Sequence, residues 1–315
     1  MKPDGSWSPM TGGFRSPSGI GTNLAGDVFA TDQQGNWYAT CTLMHVKEGV
    51  FHGHADALQF TKLPGATFQV KQPLPRNLTV AEAAKRIPAY HLPAVWFPYR
   101  KLGMSTTDIL VDRTQGMFGP FAGQLFCGEF TMSFVSRVFL EKIEGEYQGA
   151  CFRFHDGLDC AALRLQWGTD GSMYIGQSNR GWNSLGTKSY GLQRLQWNGE
   201  VPFEIKTMSA RPDGFTLTFT RPVNSKSATD AKSYMLSSYT YPYHSKYGGK
   251  ETDLIKLTIK SITLDADKQL VHLKLDGLRA GYVHELHADG VRDSTGQPLI
   301  HKAAYYTLNR IPKKK

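Results

Sequence analysis

Apolar and polar positions along the first two thirds of the chain form short runs rather than long periods. "GDVFATD", "GQLFCGEF", "SRVFLEKIEG" and "GSMYIGQSN" each carry a few apolar residues and then meet Gly, Asp or Asn. That is the signature of short β-strands closed by polar turns. Three of the units resemble one another: "AGDVFATDQQG", "AGQLFCGEFTM" and "DGSMYIGQSNR" share a glycine, a short strand and a polar turn. Strand units recurring at roughly 45 residues predict the blades of a β-propeller. The material before Pro202 suffices for about three or four blades, fewer than most closed rings hold. The gap from Gly26 to Gly123 exceeds one blade, which predicts an insertion. Residues 61–104 fit it, being proline-rich and laid over one end. Thr79 and Glu82 form a capping box there that opens one short helix over "TVAEAAKR".

Beyond Pro202 the pattern changes to strict alternation. In "FTLTF" the apolar Phe215, Leu217 and Phe219 fall on one face; in "VHLKL" Val271, Leu273 and Leu275 do so. Strands with one wet face, separated by "PDG", "DAD" and "STG" turns, predict a two-sheet sandwich. The expected fold is therefore all-β: a partial β-propeller over residues 1–201, then an immunoglobulin-like β-sandwich over 202–315. The tyrosine-rich stretch 233–249 reads as the edge of the sandwich core or, alternatively, as a sticky surface.

Composition narrows the partners. No run of about 18 apolar residues exists to cross a membrane as a helix, and "MKPDGSWSPMTGG" lacks the apolar core of a secretion signal. The formal net charge is +9, but the cations are dispersed and only "PKKK" at the end is compact. Nucleic acid binders concentrate their charge, so nucleic acid is not the expected partner. Cys41, Cys127, Cys151 and Cys160 show no zinc spacing. They read either as buried thiols or, for Cys151 and Cys160, as a hairpin disulfide.

Several turns offer candidate chemistry. Asp32, Gln33, Gln34, Asn36 and Trp37 form either a ligand-facing turn or one closed by local backbone bonds. His52 and His54, two apart, would share a strand face and serve as bases or metal ligands, or simply pack. In "NRGWNS", Asn179, Arg180 and Trp182 could clamp a sugar, the indole stacking and the guanidinium reaching hydroxyls. The alternative is an Arg–Trp stack that holds the loop.

The motifs "FRSPSGIGTNLAGDVFATDQQGNW", "GVFHGH", "FGPFAGQLFCGEFTMSFVSRVFLE" and "DGSMYIGQSNRGW" resemble the later blades of soluble sugar dehydrogenases that use pyrroloquinoline quinone. They are most similar to the large secreted sorbosone-dehydrogenase-like proteins of planctomycete-type bacteria. The likeness runs from Phe14 to Trp197, and the C-terminal part resembles bacterial immunoglobulin-like modules. The resemblance implies an oxidoreductase acting on sugars, in the periplasm or outside the cell, with the quinone and Ca²⁺ as cofactors. It places Arg15, Ser16, Gln34, Gly35 and Asn36 at the quinone, with the Gly35 carbonyl and the Asn36 side chain as hard oxygen donors for Ca²⁺. Thr131 stands where the family has a lysine, and Arg164 falls one residue from the place of a family arginine. A non-catalytic module that binds carbohydrate or protein at the cell surface is the alternative reading, and a partner chain could complete the ring.

Overall fold

The structure, a computed structural model, describes residues 3–314. Three short antiparallel strands open it: β1 (Gly19–Thr22), β2 (Val28–Asp32) and β3 (Cys41–His45). An insertion follows over residues 46–94. It holds a 3-10 helix (Ala55–Lys62), the two-residue strand β4 (Leu78–Thr79) and helix α1 (Val80–Arg86). The capping box is present: the Glu82 N–H donates to Thr79 Oγ1 at 3.2 Å, and the Glu82 carboxylate accepts the Thr79 N–H at 2.8 Å. Strand β5 (Val95–Phe97) then pairs with β3 and completes a four-stranded sheet. Val95, Trp96 and Phe97, within the span 61–104 expected to be inserted, are a buried strand of this sheet.

A second meander comprises β6 (Thr106–Val111), β7 (Leu125–Glu129), β8 (Phe134–Ile143) and β9 (Glu146–His155). A third, of three strands, comprises β10 (Ala162–Trp167), β11 (Met173–Ser178) and β12 (Tyr190–Leu195). The C-terminal part contains β13 (Ile205–Arg211), β14 (Gly214–Phe219), the single turn α2 (Ser225–Ala228), β15 (Met235–Thr240), β16 (Pro242–Tyr243), β17 (Thr252–Lys256), β18 (Thr258–Leu264), β19 (Leu270–Asp276), β20 (Tyr282–His287) and β21 (Ala303–Leu308). The chain is all-β with several sheets, and none of them closes on itself.

The second meander does not stop at its own edge. Tyr305, Tyr306 and Thr307 of β21 pair with Cys151, Ala150 and Gly149 of β9, giving one eight-stranded sheet in the order β17-β15-β20-β21-β9-β8-β7-β6. The boundary expected at Pro202 is therefore spanned by sheet hydrogen bonds. Alternation along these strands sends side chains to two different cores. Leu125, Cys127, Val138, Cys151 and Tyr305 pack against the first sheet, with Phe29, Leu43 and Val95. Ala150, Phe152, Leu286, Ala304 and Tyr306 pack against the sheet β13-β14-β19-β18, meeting Phe215, Leu217, Phe219, Val271, Leu273 and Leu275. The two period-two strands read from the sequence thus bury the faces expected. Phe126 and Val135 face a third core beneath β10–β12. All four cysteines are buried free thiols.

Between these cores lies Arg137, fully buried. Its guanidinium is sandwiched between the rings of Phe121 and Phe152, at 4.1 and 4.3 Å. It donates to Gln124 Oε1 and to the carbonyls of Ile205 and Lys206. Burial pulls its pKa down to about 9. Those bonds tie β8 to β13.

One device repeats in the three meanders. Gly26, Gly123 and Gly171 adopt left-handed φ values of 84°, 84° and 76°, which tolerate no Cβ cheaply. The sixth residue after each is a polar side chain that fastens the segment leading into its meander. Asp32, buried, accepts the N–H groups of Arg15, Ser16 and Gln33, each at 2.7 Å. Glu129, also buried, accepts those of Met104, Ser105 and Met132. Gln177 donates to the Cys160 carbonyl at 3.3 Å, assisted by Asn179, whose Oδ1 accepts from Ala161 N–H at 3.3 Å. Buried threonines join the meanders: Thr31 Oγ1 donates to the Thr107 carbonyl at 2.6 Å, and Thr107 Oγ1 to that of Ala162 at 2.7 Å. These bonds place the turns after β2, β7 and β11 on one end of the molecule.

Removing a fastening carboxylate leaves three N–H groups short of a partner. Asp32→Ala and Glu129→Ala should each cost about 3 kcal/mol in urea unfolding, and Gln177→Ala about 1 kcal/mol. An Asp32→Ala loss well under 1 kcal/mol would contradict this role. A second expectation concerns His284, whose ring is buried against Phe215 and held neutral, with burial driving its pKa down to about 3. The unfolded chain takes up a proton below about pH 6.5 that the folded ring refuses, so stability is lost as pH falls. At pH 5 this ring should account for about 2 kcal/mol of loss. His284→Phe should flatten the pH dependence between 6.5 and 4; an unchanged slope would refute the assignment.

Candidate functional site

The turn after β2, residues 33–40, does not stand alone at this end. A loop from the C-terminal part is zipped onto it: Trp37 N–H donates to the His244 carbonyl at 3.0 Å, Gly248 N–H to that of Gly35 at 3.0 Å and Gly249 N–H to that of Ala39 at 3.1 Å. Arg15 lies across the junction with its guanidinium 5.4 Å from the Tyr247 ring centre. The absence of a side chain at Gly35 lets the guanidinium lie there, since a Cβ would sit 1.8 Å from Arg15 Nε and displace it. Arg15, Gln34, Gly35 and Asn36 are therefore gathered at one place, together with Tyr247.

An open cleft of about 670 Å³ lies beside this junction, lined by Gln34, Tyr99, Lys101, Tyr241, Tyr247 and Glu251 among others. Tyr247 is 67% exposed and Tyr99 36%. Lys101 is clamped by Glu251 at 2.8 Å and Glu285 at 2.6 Å. Its ammonium has a raised pKa, burial opposing and the two carboxylates prevailing. Tyr241 is a buried wall residue whose hydroxyl has no hydrogen-bond partner among the described residues. Exposed phenol rings beside a carboxylate, an ammonium and an amide suit a polyhydroxylated ring, which needs a flat apolar face and edge hydrogen bonds.

Other sequence candidates land elsewhere or in other roles. Asp32 is fully buried and its oxygens are engaged by backbone N–H groups, so it does not face a ligand; burial raises its pKa to about 6. Ser16 contributes its N–H to that carboxylate. Trp37 packs its indole on Tyr243 and donates to Asp56 at 3.0 Å. His52 is fully buried and stacked on Phe14 at 4.4 Å, with burial pushing its pKa down to about 3. His54 stands near Asp56, Nε2 to Oδ2 3.7 Å. The two histidines do not share a strand face, because Gly53 between them turns the chain at φ 111°. Asn179 is a fastening residue, its Nδ2 donating to the Lys188 carbonyl at 2.8 Å. Arg180 and Trp182 remain on the surface of the turn after β11, at the same end as the 33–40 turn, with the indole 68% exposed.

The residues proposed for Ca²⁺ do not form a cage for it. The Gly35 carbonyl already accepts N–H groups from Tyr38 at 3.2 Å and Gly248 at 3.0 Å. Gln34 gives its amide N–H to the Ala39 carbonyl at 2.9 Å. That leaves too few free hard oxygens for an ion that takes six to eight. A quinone with three carboxylates needs nearby cations, and of those beside this turn Lys101 is already paired with two carboxylates.

Sequence reasoning missed Tyr99, Lys101, Tyr247 and Glu251. The signal was the tyrosine-rich 233–249 stretch, in which Tyr234, Tyr239, Tyr241 and Tyr243 are buried while Tyr247 is left outside.

No family profile and no curated protein matches the chain. Among solved structures, a Thermus thermophilus protein provisionally described as an oxidoreductase (glucose dehydrogenase) aligns at 18% identity with a TM-score of 0.39. The match covers 59% of this chain and 47% of that one, so the chain spans about half the neighbour's length. No helix among the described residues is long and apolar enough to cross a membrane.

Proposed function

We propose that this chain is a carbohydrate-binding module: a three-bladed partial propeller of the sugar-dehydrogenase type, joined to an immunoglobulin-like sandwich, that does not itself oxidise sugar. The observation that carries the reading is the cleft where exposed Tyr247 and Tyr99 accompany Gln34, Lys101 and Glu251. The phenol rings offer faces to a pyranose, and the paired Lys101 and Glu251 offer a donor and an acceptor fixed by each other. Arg15 steadies Tyr247 from the segment before β1. The dehydrogenase reading lacks an oxygen cage at Gly35 and Asn36.

Calorimetry against neutral and acidic mono- and oligosaccharides should find at least one ligand. Tyr247→Ala should weaken it about tenfold, the value of one aromatic stack. Absence of saccharide binding, or binding indifferent to Tyr247, would reject the cleft. Reconstitution with pyrroloquinoline quinone and Ca²⁺ should give no dye reduction with aldoses; sugar-dependent reduction would restore the enzyme.

A protein partner is favoured by a different observation. Strand β12 forms the edge of its three-stranded sheet, and its outward residues Tyr190 and Leu192 are 79% and 71% exposed. An apolar free edge invites another strand. Light scattering should detect self-association or capture of a propeller partner that Leu192→Lys abolishes. A strictly monomeric chain indifferent to that change would remove this reading.

A further inference from the structure

The end opposite the turns holds a separate cluster. His45 closes β3, His91 follows α1 in the insertion and Glu146 begins β9. Three segments far apart in sequence thus bring two imidazoles and a carboxylate together, with one donor atom from each lying within 4.8 Å of the others. His91 Nε2 is 3.7 Å from Glu146 Oε2, too far for a hydrogen bond. Glu146 Oε2 and His45 Nδ1 are both buried without a hydrogen-bond partner among the described residues.

Buried polar atoms are almost always satisfied, so two lone-pair atoms left open in one cluster need an explanation. Lys47 sharpens it. Its ammonium holds Glu146 Oε1 at 2.9 Å, which orients the carboxylate and leaves Oε2 facing the histidines. Tyr147 packs its ring edge-on against His45 at 4.9 Å and donates its hydroxyl to Asp27. The surroundings fix the orientation of the donor groups and leave the donor atoms free, as the supports around metal ligands do.

We propose that His45, His91 and Glu146 bind one divalent transition-metal ion, with Zn²⁺ the best match. Two imidazole nitrogens and one carboxylate oxygen form the donor set of an open zinc site with a fourth position for an exogenous ligand. Side-chain adjustment of about 1 Å would bring the donors to zinc distances. His91 and Glu146 line a cleft of about 510 Å³ that also carries Lys47, Lys85 and Arg310. The fourth position opens toward these cations, so water or a small carboxylate or phosphate completes the shell. Hard Ca²⁺ is disfavoured, since the set offers one carboxylate and two nitrogens.

The test uses the full chain after chelator treatment and dialysis. Titration with ZnCl₂ by calorimetry should give one site per chain, and Co²⁺ should develop the visible bands of a four-coordinate ion. Glu146→Gln and His91→Ala should each weaken Zn²⁺ binding by about 100-fold or more, judged against losses of about 10–100-fold for removing a mere supporting contact. His54→Ala, at the other end, should leave it unchanged. Circular dichroism checks the fold, and Glu146→Gln, the conservative change, decides the matter where His91→Ala unfolds. Failure of Zn²⁺ and Co²⁺ to bind, or binding that survives Glu146→Gln, would overturn the site. Either outcome is independent of saccharide binding at the Tyr247 cleft.

Discussion

A buried carboxylate that gathers backbone N–H groups is the interaction on which the arrangement of the first half depends. An ionised side chain removed from water is costly unless hydrogen bonds surround it. Asp32 is so deeply placed that even three N–H bonds leave its pKa raised to about 6. The arrangement is tolerable only with the preceding chain folded back onto the strand end, which makes the carboxylate a gauge of correct assembly. Glu129 repeats it one meander later, and Gln177 performs a neutral version in the third. Because the fastened segments lead directly into β1, β6 and β10, the same bonds decide where the intervening turns open.

Much of this was legible, and its failures are instructive. Alternation at Phe215–Phe219 and Val271–Leu275 revealed the sandwich faces, because period two is a local property of the strand. The capping box at Thr79 and Glu82 was equally local. The repeat of glycine, strand and turn was visible, but its sixth position reads Asp, Glu and Gln, three different letters for one task. Asp32 accordingly read in the sequence as part of either a ligand-facing turn or one closed by backbone bonds, and its burial under three N–H groups gives it the second role. The pairing of β21 with β9 joins residues about 150 positions apart and leaves no local trace. The same is true of His45, His91 and Glu146, which no spacing rule could assemble.

The molecule has two chemically different ends. Beside the turn after β2, the β5–β6 loop and the loop at 244–249 set out phenol rings, the Arg15 guanidinium and a clamped lysine. The far end, where β3 finishes and β9 begins, carries imidazoles and cations around the Glu146 carboxylate, with Asp27 close by. The insertion supplies His91 and α1 to that far end.

The sheet that continues from β9 into β21 has a further consequence. Strand-to-strand bonds and the Arg137 clasp leave no swivel between the halves, so the sandwich cannot behave as a bead on a string. Replacing the C-terminal half as a cassette would leave the β9 edge and the Arg137 guanidinium without their partners. Pulling on either end would load both halves together, through the β9–β21 pairing, the β4–β16 pairing and the Arg137 bonds.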